Sequence, residues 1–467
     1  MNLAKPLTTS YYHYLFVNIS SSNDGGSILM TYVKNSYFSN VSFINSVAFS
    51  NGGSVFCVNQ CKAVYENCSF LNSTSLNNIG GAIYTSGETQ IMGNTFENCS
   101  SLKNGGSVYI GNCQYHISKS VFINSRSSNQ NGGALYLNLA YTVSDCMFIS
   151  CSAELSSGGA IYISNSDGSQ FLLAGSLFYN CSSKNNGGAV YLDNQNRVQI
   201  ERICFSNCYT KTTSSRGVCI FHSMASTTSN QIINIESVSS SNCGKTNYGD
   251  GMLYLLRGQQ RISNNNYSSC NGYYNAIFNI QPYGSINIHF NTISQSSSSQ
   301  SACITIQSLS TAPMASISFC NIIGNSVSNS IFYISNYGSR AVFQYLIFKW
   351  NNATNLGLIY NEYSTNQGYV SVLNTILFAN NGILGNGITS EAITSSNAQT
   401  FTLTFYSTFF CQTLEIQLSL EVPCQTLSSC IIPPSPTQCN VISENNPLIS
   451  YNIIYSIIPL TYLLFTT

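Results

Sequence analysis

The chain has 467 residues, of which 43% are hydrophobic and only 7% charged, and its formal net charge is +0. Soluble proteins average about 25% charged residues, so Ser and Asn supply most of the polarity here. A neutral, ion-poor surface cannot release counterions from phosphates, which excludes nucleic acid as a partner.

The N-terminal stretch MNLAKPLTTSYYHYLFVNIS holds no uninterrupted apolar segment of the secretory type. The repeat described next is already in phase at Phe16, so the chain is expected to begin inside a longer gene product. Nineteen cysteines point to an oxidising compartment. So do eight N-x-S/T sequons, at Asn18, Asn40, Asn67, Asn72, Asn98, Asn180, Asn266 and Asn352.

Two anchors recur from residue 16 onward. Phe-x-Asn stands at Phe16, Phe43, Phe70, Phe96, Phe122, Phe178 and Phe205, and at Phe148 with Ser150 replacing Asn. A glycine pair follows each of these Phe residues but Phe205 by nine or ten residues, ending at Gly26, Gly53, Gly81, Gly106, Gly133, Gly159 and Gly188. A fixed period of this length signals a solenoid, a propeller or an array. The segments GGSVFCV, GGAIYTS, GGSVYIG, GGALYLN, GGAIYIS and GGAVYLD are short, β-branched and aromatic, and polar residues or Gly end them. They predict strands. About 26 residues suffices for one three-strand coil, whereas a propeller blade needs about 40.

The reading is therefore an all-β chain, a right-handed parallel β-helix solenoid of about 13 coils. Equivalent residues stack about 4.8 Å apart, with Phe on Phe inside and the aliphatic after each glycine pair on its counterpart. Gly serves the tight corners. The Asn of Phe-x-Asn is expected to face inward as an Asn ladder. The repeats are clear over 16–210 and degenerate over 211–400. Echoes there include RGVCIF at 216, GMLYLL at 251 and GLIYNE at 357, with Phe-x-Asn again at Phe319 and Phe378. SQSSSSQS at 294–301 reads as a flexible corner or loop. Residues 401–446 form a Cys-containing cap or linker. There Cys411, Cys424, Cys430 and Cys439 are candidate disulfide cysteines whose pairing stays open. The uncharged tail 447–467 is a membrane anchor, by a transmembrane helix or a cleaved lipid-anchor signal; the alternative is a hydrophobic cap.

The GG-[AS]-[ILV]-[YF] unit with recurring Phe-x-Asn resembles the GGAI and FxxN repeats of the chlamydial polymorphic outer-membrane proteins. It is also similar to repeats in surface proteins of parasitic protists. The resemblance covers 16–210 well and 211–400 faintly. It implies a right-handed parallel β-helix and a cell-surface, adhesin-like role. Asn lies two residues after Phe here, not three, and residues beyond 400 do not read as that family's translocator barrel. The protist type fits better.

Phe56, Tyr84, Tyr109, Tyr136, Tyr162 and Tyr191 each stand three residues after a glycine pair, and alternation points them outward. The stripe admits two readings: a binding platform for a sugar or a partner protein, or a self-stabilising ladder of stacked rings. Cys99, Cys151, Cys181 and Cys208 follow the Phe anchor directly and read as buried thiols, with disulfides between adjacent coils as the alternative. An inward anchor Asn cannot carry a glycan, so Asn40, Asn67, Asn266 and Asn352 are the candidate N-glycosylation sites.

Five Asp and eleven Glu do not stack into a face of convergent carboxylates, and His13, His116, His222 and His289 share no coil position. No catalytic residue, metal site or cofactor is nominated, and the chain is not expected to be an enzyme. The expected function is a cell-surface, membrane-anchored interaction protein facing a host or neighbouring cell-surface protein or glycan. The alternatives are a structural surface coat and, less favoured, a polysaccharide lyase or hydrolase of the β-helix class.

Overall fold

The structure is a computed structural model that describes the strand Asn2–Leu3 and residues 8–394. It leaves out 60, 140, 165–169, 196, 224–230, 246–247, 308–313, 336–339, 363–368, 383–387 and 391–392. The four candidate disulfide cysteines of the cap and the apolar tail lie outside the described residues. All regular elements among the described residues are strands, stacked in parallel as a β-solenoid of about 12 turns. The chain divides into two units, in the main 1–182 and 183–394, with 168–171 grouped with the second.

In the first unit one coil runs through Thr89–Met92, Thr95–Glu97, Ser100–Ser101 and Val108–Ile110. Each strand pairs in parallel with its equivalent one period away, Phe96 with Phe122 and Tyr109 with Tyr136. The pairing satisfies backbone donors and acceptors between coils, and this forces like residues over like. Phe43, Phe70, Phe96, Phe122, Phe148 and Phe178 are fully buried. Their ring centroids are 4.7–4.9 Å apart and the planes within 7° of parallel. Ile28, Val55, Ile83, Val108, Leu135 and Ile161, the aliphatics after the glycine pairs, are buried too.

The two glycines of a pair do different work. Gly105 has φ +67°, a left-handed corner that side chains rarely adopt. Gly106 does not, but a Cβ there would lie 2.0 Å from the carbonyl oxygen of Gly133. The second glycine is needed for the close approach of the next coil.

The expected inward Asn is corrected. Asn18, Asn45, Asn72, Asn98, Asn124 and Asn180 are exposed, with φ between 51° and 54°. They turn the corner in the left-handed region, which Asn tolerates better than most residues. The ladder forms outside: Asn45 Nδ2 donates to Asn18 Oδ1 at 2.8 Å and Asn72 Nδ2 to Asn45 Oδ1 at 2.9 Å. The left-handed residue breaks the strand's alternation, so the residue after it faces in. That residue is Ser46, Ser73, Cys99, Ser125, Cys151 or Cys181, and all are buried.

The second unit keeps the coil with a different filling. Val190–Leu192, Ile220–Ser223, Leu253–Leu256, Phe278–Gln281, Ile304–Gln307, Ser330–Ser335 and Gly357–Asn361 pair in sequence. The inward Phe position becomes Phe205, Ser240, Tyr267, Ile293, Ile322, Phe348 and Leu377. The Phe-x-Asn echoes at Phe319 and Phe378 are therefore out of phase. Phe319 turns a left-handed corner at φ 53°, and Phe378 pairs with Lys349 on the outer side. The inward amide ladder appears here: Asn325 Nδ2 donates to Asn351 Oδ1 at 3.0 Å, and Asn351 Nδ2 to Asn380 Oδ1 at 2.9 Å. The serine run at 294–301 is no loose corner either. Ser297–Ser298 is a strand paired with Asn271–Gly272, and Ser296 and Ser298 are buried.

Candidate functional site

The aromatic stripe forms outside the sheet that follows the glycine pairs. In the first unit Val55 and Cys57 point inward and Phe56 between them points out, and Ile83, Tyr84 and Thr85 repeat this. Phe56, Tyr84, Tyr109, Tyr136 and Tyr162 stack in order, with centroids 4.8–5.2 Å apart and planes within 14°. In the second unit Tyr191 stacks on Phe221 at 4.7 Å and Phe221 on Tyr254 at 5.6 Å.

This geometry decides what the stripe can offer. Tyr84, Tyr109 and Tyr136, and Phe221 in the second unit, each meet a stacked ring on both faces, so none of those faces is open for a sugar to lie on. Edges and hydroxyls are what remain. The Tyr136 hydroxyl donates to Ser164 Oγ at 3.1 Å, and Ser164 Oγ donates to Asn138 Oδ1 at 2.5 Å. Asn138 Nδ2 donates to Asn112 Oδ1 at 2.8 Å. A polar row thus flanks the rings. Burial, with Tyr136 and Tyr84 adding to it, pushes the Tyr109 hydroxyl up to about 12. Burial, reinforced by Asp193, does the same to Tyr191. Both hydroxyls stay neutral at physiological pH and can donate as well as accept.

The anchor cysteines are buried and hydrogen-bonded across coils. Cys99 Sγ donates to the Phe70 carbonyl at 3.4 Å, Cys151 Sγ to Phe122 at 3.5 Å and Cys181 Sγ to Phe148 at 3.4 Å. Burial pushes Cys99 up to about 12, which makes it an inert thiol. Cys208 is buried as well. A disulfide joins Cys57 and Cys61, whose Cα atoms are 6.0 Å apart. Sequence reasoning missed it, since Cys57 falls on a strand position and Cys61 past the strand's end.

The sequons divide differently from expectation. Asn40 and Asn67 are exposed and Asn352 is half-buried. Asn266 is only 2% exposed, on the strand Asn266–Ser268, with its amide nitrogen in the interior. It is corrected as an acceptor. The anchor residues Asn18, Asn72, Asn98 and Asn180, set aside as inward, are exposed.

Among the described residues no group of three or more His, Cys, Asp or Glu could hold a metal ion. No described helix is long and apolar enough to cross a membrane. No family model, curated protein or solved structure matches the chain.

Proposed function

We propose that this chain is a cell-surface interaction protein of the adhesin type. Its solenoid presents the tyrosine ladder to a protein or glycan on a host or neighbouring cell, and the tail 447–467 holds it at the membrane. The observation that carries the reading is the outward ladder Tyr84–Tyr109–Tyr136–Tyr162 with its regular row of hydroxyl edges. Rigid rings lose little side-chain entropy on binding, which makes such a row a good contact surface. The cysteine and sequon content supports an extracellular setting. The resemblance to protist surface repeats supports the same role. The reading involves no reaction and no cofactor.

The test has two arms. Intact cells are surface-biotinylated and the native product detected; absence of label would end the surface assignment. Purified protein is then bound to target cells as wild type and as the Tyr109→Phe, Tyr136→Phe double variant. The double variant keeps the stack and removes only hydroxyls. Its binding should fall about thirtyfold, from two lost hydrogen bonds of about 1 kcal/mol each, at an unchanged thermal midpoint. Undiminished binding would leave the ladder a purely structural device.

A further inference from the structure

A second outward aromatic row occupies a place where aromatics are disfavoured. At one rung, successive coils of the second unit carry Ser237, within the strand Ile232–Ser241, and then Asn264, Phe290, Phe319 and Tyr345, which directly follow the strands Gln259–Ser263, Ile286–His289, Met314–Ser318 and Arg340–Gln344. All have φ between 52° and 59°. Ser and Asn are ordinary there; a bulky aromatic is a strained choice. Yet Phe290 stacks on Phe319 at 5.1 Å and Phe319 on Tyr345 at 4.9 Å. Phe290 is 37% exposed and Tyr345 41%.

This row ends at Phe290. Its next position is the smaller Asn264, so no ring stacks on that side of Phe290. A shallow cleft of about 540 Å³ opens there, lined also by Glu236, Arg261, His289, Asn234 and Asn264. Its size falls in the range of small-molecule sites, roughly 300–1,000 Å³. The polar groups are complementary. Glu236 Oε1 accepts from Asn264 Nδ2 at 3.0 Å, which fixes the carboxylate. Arg261 makes no ion pair among the described residues. His289 packs edge-on against Phe290 at 5.4 Å, and burial lowers its pKa, with Glu236 opposing. A neutral imidazole both donates and accepts.

We propose that this cleft is a binding site for one pyranose residue. The apolar face of the sugar lies on the open face of Phe290, Glu236 accepts from its hydroxyls, and Arg261 and His289 donate to them. One open ring face beside a carboxylate and a guanidinium matches a ring that is apolar on its face and rimmed with hydroxyls. Tyr84, Tyr109 and Tyr136, stacked on both faces, lack that open face. The site therefore stands whether or not the ladder binds anything, and wherever the protein resides.

The test is ligand-observed saturation-transfer NMR on the purified full chain. The probes are methyl glucoside, methyl galactoside, methyl mannoside and N-acetylglucosamine. At least one should receive saturation from the wild type. Phe290→Asn installs the residue found one coil earlier and should keep the thermal midpoint while weakening that probe about tenfold. Glu236→Gln should weaken it as well, and serves alone if Phe290→Asn does not fold. The Tyr109→Phe, Tyr136→Phe variant should bind as wild type does. If no probe binds at millimolar concentration, or if binding survives both Phe290→Asn and Glu236→Gln, the proposal is overturned.

Discussion

At the scale of single residues, steric space and backbone angle divide the work between neighbours that look alike in sequence. Gly105 and Gly106 read as one motif, but only the first needs a left-handed φ. The second needs room, because any Cβ there would sit 2.0 Å from the Gly133 oxygen and 2.5 Å from the Arg126 carbonyl carbon. Both obstacles are backbone, so relief requires the rungs to part. Gly106→Ala should destabilise the protein by about 3 kcal/mol or more, read as a lower urea midpoint. An unchanged midpoint would contradict the spacing. The same logic explains the misplaced Asn. Alternation carried straight through the corner would place Asn inside, but a left-handed residue does not alternate. Phe and the residue three later both face in, with Asn outside between them.

At the scale of the element, the corner ladder shows a pairing that becomes visible only once the coil is known. Where the glycine pair is followed by Ser, the facing corner is Ser: Ser27 with Ser46 at 2.8 Å, Ser54 with Ser73 at 2.7 Å and Ser107 with Ser125 at 2.6 Å. Where it is followed by Ala, at Ala82, Ala134 and Ala160, the equivalent corner is Cys99, Cys151 or Cys181. Two hydroxyls satisfy each other. Beside a methyl group a thiol loses little, because it is only a weak hydrogen-bonding group and turns to a carbonyl instead. The cysteines of the repeat are thus substitutes for serine in a buried row. Ser107→Ala should cost about 1–3 kcal/mol by orphaning the Ser125 hydroxyl. Adding Ser125→Cys should bring the double variant back to within about 1 kcal/mol of wild type. Chemical denaturation of the four proteins closes the cycle, and additive losses would refute the pairing.

At the scale of the whole molecule, scarcity of charge leaves few groups to set the response to pH. The ion pairs among the described residues involve partly exposed side chains, and such pairs add little. His222 is the exception. It is fully buried, its Nε2 lies 3.2 Å from the Gln195 carbonyl oxygen and its Nδ1 has no partner among the described residues. Burial lowers its pKa from 6.5 to about 4, against a raising effect of that carbonyl contact. The folded-state value is depressed, so the contribution is fully present above pH 6.5 and is lost as pH falls towards 4. The loss reaches about 3 kcal/mol. Asp250 works in the opposite sense. Burial raises its pKa despite amide bonds from Asn275 and Asn279 at 2.7 and 2.9 Å, so its protonation favours the fold as pH falls. Leu192 and Leu255 flank His222 in register. His222→Leu should therefore flatten stability between pH 7 and 4 without loss at pH 7. Denaturant midpoints across that range decide it, and a persisting acid loss of the same size would assign the effect elsewhere.

The sequence by itself determined the period, the parallel coil, the inward Phe row and the outward Tyr row over 16–210. Each follows from strand alternation repeated at one fixed interval. Its reach ended where that interval carries different side chains. Phe319 matches the motif yet stands at a corner, because hydrogen bonding between coils, not motif identity, sets the phase. The cleft beside Phe290 was illegible for the same reason. Asn234, Arg261 and His289 lie on three different coils, and only the stacking register brings them to one place. Tertiary structure alone decided that Tyr84, Tyr109 and Tyr136 spend both faces on neighbouring rings while Phe290 is stacked on one side only, since that depends on what the neighbouring coil places at the same rung.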